Sequence, residues 1–354
     1  MSDVTPLDLE QDDAQSALTA WLAAESGATA VSVSGVEPLG GGAIHLHWRL
    51  DATLDGGAFE GEHALVVRAA GDATLAESLD LVQEFAVARA AADVGTTVPE
   101  PLWCCEDASV LGRPFAVSRY APVVAAALLL VRNEELGGSR PVLLARLGEE
   151  LARLQTVPLD TPSLAFLPKP EPSPALAAVA EFRAALDAHP RPRPALEWGL
   201  RWLERNAPAT RQLVLVHGDY RNGNFMADDD GLRGVLDWEF ARWGDPLEDV
   251  GWLTARCWRA NRFDRPVGGL GPRVDFERGY RDAGGIGDLD PALVHYWEVM
   301  AHVRWAIIAI HQGERHTSGR QPSLELALTG RIPDEVEIEV LTMIDEAERG
   351  EFGG

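Results

Sequence analysis

The sequence predicts an α+β protein in two parts: a small antiparallel sheet carrying helices, then a larger and mostly helical part. Three observations predict it. Hydrophobic periodicity is helical near the N-terminus, turns to alternation before residue 70 and is helical again after Tyr120. Glycine-bearing turns separate the alternating runs. A chain of 354 residues also exceeds what one hydrophobic core usually serves. The expected division places residues 1–120 in the sheet part and 121–354 in the helical part.

Residues 9–25 put Leu9, Ala14, Leu18, Trp21 and Leu22 on one helical face. Residues 31–36, 44–50 and 64–68 alternate as three antiparallel strands, separated by Gly40-Gly41-Gly42 and Asp55-Gly56-Gly57. A helix is expected over 75–92, then short strands at 103–105 and 114–118. A further helix covers 141–154. Prolines crowd 158–174 and 189–194, which read as connectors within the helical part. Residues 212–238 then give strand, polar loop, strand, turn and strand. A helix should restart at Asp245, with Pro246 at its first position and Glu248 completing a capping box. Helices over 291–311 and 333–348 finish the chain.

The 31 Lys and Arg against 55 Asp and Glu leave a net charge of -24. That excess argues against gripping nucleic acid or an anionic membrane over a broad face, since phosphate contacts need clustered cations. Lys169 is the only lysine, which excludes a P-loop. Three cysteines cannot form an even disulfide framework. The N-terminus is acidic where a secretion signal would be basic then apolar, and the apolar run at 120–131 is too short for a bilayer. These features fit a cytoplasmic protein without membrane or nucleic-acid partners.

The densest polar cluster in apolar surroundings is His217-Gly218-Asp219-Tyr220-Arg221-Asn222-Gly223-Asn224, followed by Asp237-Trp238-Glu239. Carboxylate, amide and carboxylate at strand ends of one hairpin can converge. Phosphoryl transfer uses such a set: a base for the attacking hydroxyl, and oxygen ligands for magnesium, which keeps phosphates and waters for the rest. Asp219 would be the base, with Asn224 and Asp237 as the magnesium ligands. The bland alternative is a surface hairpin whose Asp, Asn and Gly merely make turns.

The strings LVHGDYRNGNFM and GVLDWEFARWGDPLEDVGWL resemble the aminoglycoside phosphotransferase and choline kinase superfamily, which shares the protein-kinase-like fold. They look closest to the branch that supplies kinase-like domains to some acyl-CoA dehydrogenases. The resemblance implies a bilobal fold, ATP and Mg2+, and transfer of the γ-phosphoryl group to a hydroxyl of a small molecule. It also implies that His217 braces the loop bearing Asp219, whereas Gly244 to Pro246 and Asp249 are architectural. In the first part, Gly40, Gly41 and Gly42 match the loop that covers phosphates, although a hairpin turn alone would explain them. Arg68 stands where kinases place a phosphate-touching lysine, with Glu84 as its expected partner and Glu77 in reserve. Backbone groups of Arg119 and Ala121 match the adenine-pairing hinge. Gln155 stands where a helix of this family commonly ends in histidine.

Other features are set aside. His45 and His47 share a strand face without a third metal ligand. His295, His302, His311 and His316 read by default as satisfied core or helix-surface residues, although His302 with Trp297, Arg304 and Trp305 could line an acceptor pocket. Trp238, Trp243 and Trp252 read as core. Two further function classes compete with a metabolic kinase: an antibiotic-modifying kinase, whose polycationic substrate an acidic surface would suit, and a pseudokinase, which loss of Asp219, Asn224 or Asp237 would mark.

Overall fold

Leu50, Ala52 and Leu54 are buried while their neighbours are not, so the second strand continues past its expected end at residue 50. The computed structural model describes residues 7–40, 45–71, 78–121 and 127–352. They divide into two units: Met1–Val124 with Pro162–Phe166 and Arg233–Ala241, and the remainder.

In the first unit, α1 (Asp12–Ser26) precedes β1 (Ala30–Pro38), β2 (Leu46–Asp55) and β3 (Gly61–Ala69). Then come α2 (Leu81–Asp93), β4 (Pro101–Cys105), α3 (Ala108–Leu111) and β5 (Phe115–Arg119). The five strands form one antiparallel sheet in the order β1-β2-β3-β5-β4. Leu18 and Leu22 of α1 pack with Leu50, Leu65, Val67, Phe115 and Val117 in one apolar core. The helix expected from residue 75 begins at Leu81. Asp80 starts it by accepting the Gln83 N–H at 2.8 Å, while the Gln83 side chain accepts the Asp80 N–H at 3.1 Å.

The second unit opens with α4 (Ala127–Arg132) and α5 (Arg140–Leu154). Pro174 and Pro194 sit at the first turns of α6 (Pro174–Ala188) and α7 (Pro194–Arg205), so each proline-rich connector ends by starting a helix. Next come β6 (Val214–Val216), β7 (Phe225–Asp228), β8 (Gly231–Val235), whose residues from Arg233 on are counted with the first unit, and β9 (Arg242–Gly244). β7 pairs with β8, and β6 pairs antiparallel with β9, a three-residue strand the sequence did not announce. The chain ends with α8 (Glu248–Thr254), α9 (Arg273–Asp282), α10 (Pro291–Thr317), α11 (Leu324–Thr329) and α12 (Pro333–Glu348). The helix expected from Asp245 starts three residues later, and of the expected capping box only the Glu248 half forms, the Asp245 side chain taking the Leu247 N–H in place of that of Glu248. Asp245 Oδ1 accepts the Leu247 N–H at 3.0 Å and Glu248 Oε1 accepts the Asp245 N–H at 2.8 Å.

All three cysteines are free thiols, and Trp238, Trp243 and Trp252 are core residues as expected. Among the described residues no helix is long and apolar enough to cross a membrane.

α5 and α9 approach closely because both carry glycine at the crossing. A Cβ on Gly279 would lie 1.9 Å from the Ala145 carbonyl oxygen, and one on Gly148 would lie 2.1 Å from that of Phe276. Gly279→Ala therefore forces backbone apart rather than a flexible side chain. It is expected to cost about 3 kcal/mol and lower Tm by roughly 5 °C or more, read by thermal melting.

Candidate active site

β6 ends in His217-Gly218-Asp219, and a buried carboxylate fixes that turn. Asp249, on the first turn of α8, accepts the N–H of His217 at 2.7 Å and of Gly218 at 2.9 Å. Burial pushes its carboxyl up to about 6, held back by those two backbone bonds. Gly218 adopts φ 79°, a left-handed backbone that suits glycine. His217 Nδ1 accepts the Asp219 N–H at 3.1 Å, the bracing role expected of it. Tyr220 donates its hydroxyl to the Leu147 carbonyl at 2.8 Å, tying the loop to α5.

The Asp219 carboxylate is buried and satisfied from three directions. Asn224 Nδ2 donates to Oδ2 at 2.7 Å, while Arg221 Nε at 2.9 Å and Trp252 Nε1 at 2.7 Å donate to Oδ1. Asn224 also donates to the Asp219 carbonyl at 2.9 Å. The D-x-x-x-x-N spacing thus brings the Asp219 carboxylate and the Asn224 amide together through the turn at Asn222–Asn224. Arg304, on α10, donates to the Gly218 carbonyl and stacks its guanidinium 4.5 Å above the Trp252 ring. Burial lowers Arg304 to about 10, which leaves it charged at neutral pH.

In the first unit Arg68 extends from β3 and its Nη1 meets Glu84 Oε2 of α2 at 2.5 Å. Glu84 is the expected partner; Glu77 lies outside the described residues. His45 Nε2 is 3.3 Å from the other Glu84 oxygen. His47 is pushed down to about 4 by burial, then by Arg68 and His45. Neither histidine has a metal set around it: among the described residues no group of three or more His, Cys, Asp or Glu could hold an ion.

Gly40 is exposed just beyond β1, while Gly41 and Gly42 lie outside the described residues. The Arg119 N–H is committed to the Glu100 carbonyl at 3.0 Å, and its side chain to Glu100 and His63. Any adenine pairing by Arg119 therefore falls to its carbonyl. Ala121 follows as irregular backbone. Asp237 comes just after β8 with φ 69°, a conformation that Asp tolerates better than most residues but still at some cost. It belongs to the first unit with Arg68 and Glu84, whereas Asp219 and Asn224 belong to the second.

Two orphaned atoms fit the expected groups. Arg68 Nε is buried with no hydrogen-bond partner among the described residues, as suits a guanidinium reserved for an anion. Asn224 spends its NH2 on Asp219, and its Oδ1, the atom that could ligate a cation, has no partner among the described residues. A magnesium held by a carboxylate, an amide oxygen and phosphates would not need a three-residue protein cluster.

Two residues of the alternative acceptor-pocket set are core, in line with the default reading. His302 is fully buried, with Nδ1 at 2.7 Å from the Glu298 carbonyl and Nε2 at 3.2 Å from Glu339, and Trp297 is 2% exposed. Both sit on the inward face of α10, where apolar packing outweighs any pocket role. Gln155 is structural: Nε2 donates to the Pro246 carbonyl at 2.8 Å, and Oε1 accepts the Tyr280 hydroxyl at 2.5 Å. Sequence reasoning missed Arg221 and Trp252 as contacts of Asp219. Arg221 was visible two positions on; Trp252 carried no local signal.

Among curated proteins, the chain is 28% identical over 294 residues to acyl-CoA dehydrogenase family member 10 of Mus musculus, covering 77% of this chain and 26% of that protein. It is 30% identical over 176 residues to acyl-CoA dehydrogenase family member 11 of Gallus gallus, covering 49% and 22%. The chain thus spans only about a quarter of the length of these relatives. Among solved structures, a Ralstonia eutropha protein assigned as an aminoglycoside phosphotransferase superposes with TM-score 0.71 at 20% identity, over 94% of this chain and 98% of that one. A choline/ethanolamine kinase family protein from Mesorhizobium loti gives 0.60 at 19% identity, over 96% and 97%. The fold is accordingly that of the protein-kinase-like phosphotransferases. Residues 35–284, well over half of the sequence, match the pattern of the phosphotransferase enzyme family, and the chain belongs to that family.

Proposed function

We propose that the protein is an ATP-dependent kinase that moves the γ-phosphoryl group to a hydroxyl of a small molecule. The observation that carries this reading is the buried Asp219–Asn224 pair on a loop whose backbone is held by Asp249. Asp219 orients the acceptor hydroxyl and takes its proton as the oxygen–phosphorus bond forms and the bond to the departing ADP breaks. Asn224 and Asp237 are the metal-holding residues, and Mg2+ supplies neutralisation of phosphate charge. Arg68, kept in place by Glu84, holds nucleotide phosphates; Gly40, Gly41 and Gly42 cover them; and backbone at Arg119 and Ala121 takes the adenine. The residues do little covalent work, because positioning and charge neutralisation supply most of the acceleration for a loose transition state.

The guanidinium groups of Arg221 and Arg304 lie close to Asp219. This local field favours a neutral or anionic acceptor over the polycation that the net charge of the whole chain would suit. Local charge governs a pocket more than the overall sum does, so an antibiotic-modifying role ranks below a metabolic one. Presence of Asp219, Asn224 and Asp237 counts against a pseudokinase.

Mg-ATP is expected to raise Tm by several degrees, since a ligand that binds only the folded state stabilises it; no shift with Mg-ATP or Mg-GTP defeats the proposal. Coupled ADP release across amino alcohols, sugars, hydroxy acids and aminoglycosides then identifies the acceptor. Asp219→Ala should lower kcat by about 1,000-fold or more while Mg-ATP affinity stays within about threefold. Arg68→Ala should raise the KM for ATP by roughly 10- to 100-fold, the worth of a charge-assisted contact, with a smaller effect on acceptor KM.

A further inference from the structure

We infer that Trp252 is a positioning residue for Asp219, whose indole N–H reserves one carboxylate oxygen for the acceptor hydroxyl. The inference rests on the kinase reading and concerns how its base is aimed. An ionised carboxylate offers about two lone-pair directions on each oxygen. On Asp219, both directions of Oδ1 are taken, by Trp252 Nε1 at 2.7 Å and Arg221 Nε at 2.9 Å. Oδ2 carries one donor, Asn224 Nδ2 at 2.7 Å, so its remaining direction is the one open to an incoming hydroxyl.

Trp252 is suited to this task in a way that Arg221 is not. Arg221 is partly exposed, follows Asp219 by two residues, and stacks on Trp258 with its guanidinium 4.8 Å from the ring centroid. It is charged and can be drawn to a phosphate. Trp252 is 4% exposed, neutral and rooted in α8. It lies three residues after Asp249, and residues so spaced share a helix face. One face of α8 therefore supplies both the carboxylate that holds the backbone before Asp219 and the N–H that holds its side chain. Arg304 closes the circuit from α10: its guanidinium covers the indole and donates to the Gly218 carbonyl. The indole also packs against Trp258, with ring centroids 5.1 Å apart. The ring thus has little freedom to tilt, and Asp219 has one orientation.

Trp252→Phe removes the N–H and keeps an aromatic, though smaller, ring. Turnover is read as ADP release from Mg-ATP, with the acceptor found by screening or with water. The variant is expected to lose roughly 10- to 100-fold in kcat, with both KM values and Mg-ATP affinity within about twofold of wild type. In an Asp219→Ala background the same change should cost nothing more, because there is no carboxylate left to aim. Independently of activity, the Trp252 indole proton in the otherwise wild-type protein should move upfield and exchange faster when Asp219 is replaced by Ala. Wild-type kcat in Trp252→Phe, an equal loss in the Asp219→Ala background, or an unmoved indole resonance overturns the positioning role and leaves the kinase reading standing. A wild-type chain that neither binds Mg-ATP nor releases ADP overturns the kinase reading itself, and the aiming role falls with it.

Discussion

A single buried carboxylate, Asp249, organises the loop that carries Asp219. Two adjacent N–H groups at the end of a short strand would be costly to bury unpaired, and Asp249 accepts both. With those bonds made, Gly218 can take its left-handed turn and Asp219 can place its own N–H on the His217 ring. The backbone leading into Asp219 then depends on no solvent and little on its own flexibility. In the proposed role of base, a carboxylate held this way needs no reorganisation when charge moves, which is where preorganised sites gain most. The raised Asp249 carboxyl shows the cost of that burial.

The first unit solves a similar problem with a different pair. Arg68 and Glu84 form an ion pair in which Glu84 is almost wholly buried, and such pairs stabilise little in themselves because desolvation offsets attraction. Their value lies in direction. Glu84 is shared with His45, so Arg68 stays on one side of it with its Nε uncommitted among the described residues. A planar guanidinium can hold a carboxylate with one edge and an anion with another, which an ammonium does less selectively.

Much of this was legible in the sequence where the cause is local. Alternation placed β1 to β3, although Ala52 and Leu54 carry β2 further than its first strong run. The D-x-x-x-x-N string gave the Asp219–Asn224 pair because a single turn spans that separation. Glu84 was named because the resemblance puts an acidic partner for Arg68 in the helix VQEFAVARAAA, and α2 carries it to that ion pair. What the sequence hid depends on partners far along the chain. β9 is three residues long and exists only because β6 lies beside it. Core and pocket readings of His302 both stood open in the sequence, and its choice is made by distant partners: its buried ring meets the Glu298 carbonyl and the half-buried Glu339 carboxylate. Trp252 lies 33 residues from the carboxylate it touches, and nothing near it in the chain betrays that contact.

The arginine at position 68 has a consequence for how such a protein is detected. Reagents that tag nucleotide sites by acylating a nearby amine depend on the lysine that most kinases keep beside the phosphates. On the proposed reading that place holds a guanidinium, which does not acylate under such conditions, and the chain's one lysine is Lys169, outside the first unit. Amine labelling aimed at such a site will then pass over this chain.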